Sequence, residues 1–324
     1  MGGWLRRHWF VIGLAVAVAA AMLLPASVGW GSLSTAALRD ALVAGVFFCT
    51  GVLLDGRRLL AAGRAWPRHL GVQGLNLGLV PLLGLLAAPL WQAGLPPAVA
   101  DGLLIALLVP TTITSCLIFT GLARGDQELA LINTVLGNLL GLILTPAWIL
   151  IALERSGELP VAAIAGKLTL LVILPLLVGQ GFRWRRPPSE RRRRQLAIVN
   201  QTALLGIVYL AGSASFAGGS PLPAVQWLQL IAWCLGLRLA LLLVGELAGR
   251  LLRWPRPARV VLLFAGTEKT LALGLPLIAV CYAGDPDLGL RCLPLIVYHP
   301  LQLLVDAAIA SRLGKNRRQE ELVR

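Results

Sequence analysis

Two stretches of this 324-residue chain place oxygen-bearing or ionisable side chains where an apolar run would otherwise continue. In ADGLLIALLVPTTITSCLIFTGLA, Pro110 and five hydroxyls (Thr111, Thr112, Thr114, Ser115 and Thr120) interrupt the run. In VVLLFAGTEKTLALGLPLIAVCYAG, the interruption is Gly266, Thr267, Glu268, Lys269 and Thr270, and Pro276 follows. Proline removes a backbone donor and disfavours helix just before it. A carboxylate or ammonium at the centre of a membrane helix costs about 2.5–3.5 kcal/mol on insertion scales. Glu268 and Lys269 therefore face protein or water, either as an ion- or substrate-binding pair or as a mutual ion pair that pins the break.

Further polar residues recur at helical spacing. Thr134 and Asn138 are four apart, which stacks them on one helix face beside Asn133 and Thr145. In LPLIVYHPLQLLVDAAIA, Tyr298, Gln302 and Asp306 follow at four-residue steps, with His299 three before Gln302. A histidine near an intramembrane carboxylate either sits satisfied in the structure or carries protons. Gln73 and Asn76 reach a central cavity or serve helix packing equally well. Arg238 and Lys167 read as structural, with Glu246 the nearest acid for Arg238 along its own segment. The chain holds no GxSxG, HExxH or metal-ligand cluster, and one buried glutamate with a distant His299 makes no catalytic set, so an enzyme is not expected. Five cysteines lie in or beside apolar segments without CxxC spacing.

The elements that must position these residues are set by composition. With 57% hydrophobic and 14% charged residues, the chain is too apolar for a soluble domain. Apolar runs near the roughly 20 residues needed to span a bilayer recur throughout. Ten spans are expected, starting near Trp9, Thr35, Leu70, Val99, Leu129, Val161, Leu196, Val225, Val260 and Leu288. The N-terminal run after Arg6 and Arg7 reads as the first span, with a cleaved signal peptide as the alternative. One all-α membrane domain over 1–324 accounts for the length, with the lipid bilayer as its solvent.

The net charge of +14 would suit nucleic-acid binding if it were clustered, but the basic residues lie in alternate connections between spans, so no nucleic-acid partner is expected. Arg57, Arg58, Arg64 and Arg68, then Arg124, then the run RWRRPPSERRRR from Arg183, then Arg250, Arg253, Arg256 and Arg259 fall on one side. Asp101, Glu154, Glu158, Asp285 and Asp287 fall on the other. Positive-inside bias then puts both termini in the cytoplasm of an inner-membrane protein. The basic loop at 183–195 looks like a joint between a first repeat at about 1–156 and a second at about 160–314, with a basic tail at 312–324. Five spans per half give opposite orientations, the inverted-repeat plan of secondary transporters, with the two interrupted spans in matching fourth positions.

PTTITS, then ARGDQELALINTVLGNLLGLILTP, then FAGTEKTLALGLP and LPLIVYHPLQLL resemble, in that order and over nearly the full chain, the SBF-like branch of the bile acid:sodium symporter superfamily. The resemblance implies ten helices in 5+5 inverted repeats, with a panel from spans 1, 2, 6 and 7 and a core from the rest. Spans four and nine would cross where they unwind. It implies secondary transport of a small organic anion coupled to sodium or protons, with no further cofactor. Sodium would sit at Ser115, Thr134, Asn138 and Glu268, all hard oxygen donors. Thr112, Lys269, Thr270, Asn76, His299 and Gln302 complete the candidate ion and substrate residues. The chain departs from the sodium-coupled pattern at Cys116, where an asparagine would stand, and at Phe264, where a glutamate would, with its acid four residues later and Lys269 next to it. A fixed ammonium repels nearby cations, so Lys269 is expected to replace one bound cation. The competing reading is a membrane regulator of ion homeostasis or of a partner protein that keeps the fold without carrying a solute.

Overall fold

The computed structural model describes residues 2–24, 34–53, 66–156, 161–216 and 222–323. All regular structure among them is helical. In chain order the helices are α1 (Gly2–Leu23), α2 (Thr35–Leu53), α3 (Trp66–Gln92), α4 (Pro97–Leu108), α5 (Ile113–Leu122), α6 (Gln127–Ser156), α7 (161–185), α8 (Glu190–Phe216), α9 (Ala224–Leu251), α10 (Arg256–Ala265), α11 (Leu271–Cys281) and α12 (Leu288–Val323). Seven of them, α2, α3, α6, α7, α8, α9 and α12, are long and apolar enough to cross a membrane, and α1 includes a shorter apolar stretch, Ile12–Leu23. The pair α4 and α5, bent by 62° at its break, is long and apolar enough to make one further span if counted as one.

Eight helices start within four residues of predicted spans, whereas α1 and α8 start seven and six residues earlier than predicted, and the first bend falls at Pro110 as its chemistry requires. Val109 closes α4 with extended backbone, and Thr112 opens α5 the same way. The expected basic loop is shorter than its sequence implied. Helix α7 runs to Arg185, α8 starts at Glu190, and Arg183 turns back to donate to Val52 O at 3.0 Å. Arg57, Arg58, Arg64 and Glu158 lie outside the described residues.

Helices α1, α2, α7 and α8 form one layer. Its closest approach is α2 against α7, where a Cβ at Gly51 would strike Leu176 O and one at Gly179 would strike Phe48 O. Small residues of this kind let backbones touch where lipid supplies no hydrophobic drive for helix association. The second body contains α3 to α6 and α9 to α12, and α4 lies so close to α12 that Gly102 has no room for a side chain beside Arg291 O. Within α3, residues Gly74–Leu79 widen to a π-helix. Such a turn frees carbonyls from the regular ladder and recurs at functional sites.

Candidate functional site where two broken helices cross

Breaking a helix at membrane depth strands backbone polar groups, each costing several kcal/mol in hydrocarbon if left alone. The α4–α5 break exposes four successive carbonyls, and every one is answered. Leu108 O accepts from Thr145 Oγ1 at 3.2 Å, and Val109 O from Lys269 Nζ at 3.0 Å. Pro110 O accepts from Thr270 N at 2.8 Å, and Thr111 O from Asn138 Nδ2 at 2.9 Å. Two of the four donors belong to residues 269–270, so the two interrupted stretches are bonded directly to each other.

The second break, between α10 and α11, is held from three sides. Gln302 on α12 takes both backbone groups of Lys269, accepting from its N–H at 2.8 Å and donating to its carbonyl at 3.1 Å. Thr112 Oγ1 reaches the same carbonyl at 3.3 Å. Thr270 caps α11 by accepting from Ala272 N. Arg238 on α9 donates to Thr267 O and Oγ1 at 2.9 and 3.1 Å.

Four charged side chains converge here, Arg238, Glu268, Lys269 and Asp306, and all are fully buried. Two positive and two negative charges sum to zero, which is the condition for burying them at tolerable cost. The mutual Glu268–Lys269 ion pair expected as one alternative is absent from the described contacts. Adjacent residues in an irregular stretch point their side chains to different partners. Glu268 Oε2 accepts from Ser115 Oγ at 2.6 Å, while Glu268 Oε1 is buried with no hydrogen-bond partner among the described residues. Lys269 Nζ donates to Asn76 O, Asn76 Oδ1 and Val109 O at 3.1, 3.0 and 3.0 Å. Three oxygens match the three protons of an ammonium. Asn76 lies in the π-helical turn of α3, whose next carbonyl, Leu77 O, takes Trp148 Nε1 at 2.7 Å.

Arg238 also departs from its expected partner. It binds Asp306 on α12 through Nε at 2.7 Å and Nη2 at 2.6 Å, whereas Glu246 binds Arg250 and Arg259 nearer the helix end. Both sets are ion pairs, but only the first lies entirely out of solvent.

Of the residues singled out from sequence, Ser115, Thr112, Glu268, Lys269, Thr270, Asn76 and Gln302 meet directly at the crossing. Asn138, half-buried, is one bond removed through Thr111 O. Thr134 is buried and bonds back to Leu131 O at 3.0 Å on its own helix. His299 is 7% exposed, with Nδ1 unpartnered among the described residues. Arg238 and Asp306 join the site beyond the candidates expected from sequence, although an Arg and an Asp inside separate apolar spans are a legible signal. Among the described residues no group of three or more His, Cys, Asp or Glu is placed to hold a metal ion.

A family model described as the SBF-like CPA transporter family matches residues 8–315. An uncharacterised protein of Pseudomonas aeruginosa is 34% identical over 278 residues, 84% of this chain and 83% of its own. Sodium/bile acid cotransporter 7 of Rattus norvegicus is 28% identical over 318 residues, covering 94% and 92%. The putative symporter YfeH of Escherichia coli is 28% identical over 287 residues, covering 87% and 86%.

Proposed function

This chain belongs to the SBF-like CPA transporter family, and from that premise we propose that it is a multi-pass secondary transporter working by alternating access around the α4–α5 and α10–α11 crossing. The observation that carries the reading is the crossing itself. Two helices are broken at membrane depth, joined by their backbones, and furnished with four buried charges, an arrangement with no use in a purely structural bundle. Five spans per repeat follow when α4 with α5 and α10 with α11 each count as one, giving inverted halves and a ten-span chain. The layer of α1, α2, α7 and α8 then serves as the panel, and both termini face the cytoplasm of the inner membrane by the distribution of arginines.

The transported solute is a small organic anion. Support for this comes from relatives whose names include sodium/bile acid cotransporter, and not from Lys269, whose three protons are all engaged. Lys269 instead occupies an oxygen cage of the kind a bound cation would fill, and acts as a tethered cation in place of a free one. Coupling then falls to Glu268, whose Oε1 is free and whose other oxygen holds Ser115, and which takes either a sodium ion or a proton, with Asn138 and Thr134 as further candidate oxygen donors.

The test is the thermal stability of the purified protein in sodium against potassium or choline at several pH values, repeated with Glu268→Gln. Binding to the folded state raises the unfolding midpoint by mass action. A sodium-specific rise lost in Glu268→Gln supports sodium coupling, and uptake of organic anions into proteoliposomes follows from it. A rise that depends on pH alone and is lost in the same variant supports protons. Absence of both, together with no uptake, overturns the transport reading in favour of a membrane regulator.

A further inference from the structure

Away from the crossing, a cavity of about 310 Å³ opens between α3, α4 and α6, toward the ends joined by the short turn from α3 to α4. Ala88 and Pro89 of α3, Leu104 and Ile105 of α4, and Ile149 and Ala152 of α6 form its walls. The space has local causes. Ala88 and Ala152 are small, and Trp91 of the same α3 turn is drawn elsewhere, its Nε1 donating to Ala100 O at 3.2 Å and its ring packing on Trp233. Pro89 brings no N–H, so Leu85, which also lines the cavity, has no helical donor for its carbonyl. The floor is separate from the crossing. Ile105 lies three residues before Leu108 and Ile149 four after Thr145, about one helical turn from the bond that joins those two.

Three polar side chains interrupt the apolar walls, Gln92, Asp101 and Tyr282, and of the lining residues only Asp101 is charged. Arg291 on α12 fixes where that charge sits. It pairs with Asp101 through Nη1 and with Asp285 through Nε at 3.0 Å and Nη2 at 2.9 Å, and its guanidinium lies 4.0 Å from the centroid of the Tyr282 ring. Asp285 Oδ1 accepts from Asp287 N at 2.7 Å, which brings a third carboxylate into the same turn. Among the described side chains here, three carboxylates surround one guanidinium, so the potential at the cavity favours a cation. The walls decide which kind. A metal ion asks for several oxygen ligands, which apolar walls do not supply. A mostly apolar cavity of this size with a few polar groups is instead what a small organic molecule fills.

We propose that this cavity is a second binding site, for a small organic amine whose ammonium meets Asp101 and whose hydrocarbon part lies against Ala88, Leu104, Ile105 and Ile149. The amine comes from solution rather than from a lipid headgroup, because the phosphate beside a lipid amine would face the same carboxylates. Gln92, exposed at the α3 end, stands at the mouth, and Leu85 offers its carbonyl as a further acceptor. The site prefers the charge opposite to that of the transported anion and shares no lining residue with the crossing, so it stands whether or not the chain moves a solute.

The experiment is thermal unfolding of the purified full-length protein, titrated near neutral pH with benzylammonium and, separately, with benzyl alcohol, which has the same size and no charge. Binding to the folded state raises the midpoint by mass action, and the rise with benzylammonium saturates. Benzyl alcohol needs about tenfold more or beyond for the same rise, the worth of one contact to a charged group. Ala152→Phe fills the cavity from an uncharged wall and abolishes the rise, and Asp101→Asn weakens benzylammonium to the level of the alcohol. Effects of the probes on the detergent are common to all variants and cancel in the comparison. Asp101→Asn also unpairs Arg291, so Ala152→Phe carries the test if that variant does not survive purification. The affinity is equal in sodium and in potassium chloride, which separates this site from ion coupling at Glu268. No rise in the parent protein, an equal rise with benzyl alcohol, a full rise in Ala152→Phe, or competition by sodium alone overturns the proposal.

Discussion

The two breaks meet the same difficulty with opposite chemistry. The α4–α5 break holds no charged residue, and its cost is four stranded carbonyls, answered by Thr145, Lys269, Thr270 and Asn138 from other elements. The α10–α11 break brings Glu268 and Lys269, and its backbone is held by Gln302, Thr112 and Arg238. One break is a bed of oxygen atoms and the other supplies a cation to lie in it. Proline explains the difference in part, because Pro110 has no donor to offer, whereas the Gly-Thr-Glu-Lys-Thr stretch keeps all its N–H groups. Of the two breaks only α10–α11 brings charge, and the neutral break supplies one of the oxygens on which Lys269 rests.

That contrast predicts a graded response. The largest effect belongs to the charge that clamps the second break. Asp306→Ala leaves the Arg238 guanidinium buried without its partner and lowers stability by about 3–5 kcal/mol, whereas Arg238→Met with Asp306→Leu recovers most of it. Unfolding midpoints of the single and double variants in the same detergent check this, and equal losses in both would break the distinction between charged and neutral sides. Next comes Ser115→Ala, which removes the hydroxyl at 2.6 Å from Glu268 and costs about 1.5–3 kcal/mol, the range for a hydrogen bond to a charged group. Comparing it with Ser115→Ala in a Glu268→Gln background separates the bond from the packing.

On the neutral side the losses are smaller. Asn138→Leu leaves Thr111 O without its donor, and because Asn138 is half-buried and water can partly replace it, the expected cost is about 1–2 kcal/mol, read as a lowered midpoint with unchanged pH response. The smallest change is expected away from the crossing. Glu246→Gln removes an ion pair with Arg250, a side chain 67% exposed, and shifts stability by less than about 1 kcal/mol, with salt reducing even that. A loss at Glu246 as large as that at Asp306 would show that burial is not what separates the two acids.

Much of this architecture is legible without coordinates. The apolar runs, the proline at 110 and the polar run at 266–270 mark the helices and both interruptions, because hydrophobicity and the missing proline donor act locally. Partnership is less legible. Glu246 looked the natural mate for Arg238, eight residues away on one helix, yet Asp306 holds it from α12. Glu268 and Lys269 are sequence neighbours and turn to different sides.

By itself, then, the amino-acid sequence determined the class of molecule, the order of its helices, the two points of rupture and the residue types gathered near them. The tertiary structure alone decided which carbonyl each donor answers, that Lys269 rests in an oxygen cage made by two other helices, and that Arg238 pairs with Asp306 while Glu268 turns to Ser115. The physical reason is range. Helix propensity and burial are written in neighbouring residues, but a broken helix in a membrane can be satisfied only by groups that folding brings from far along the chain.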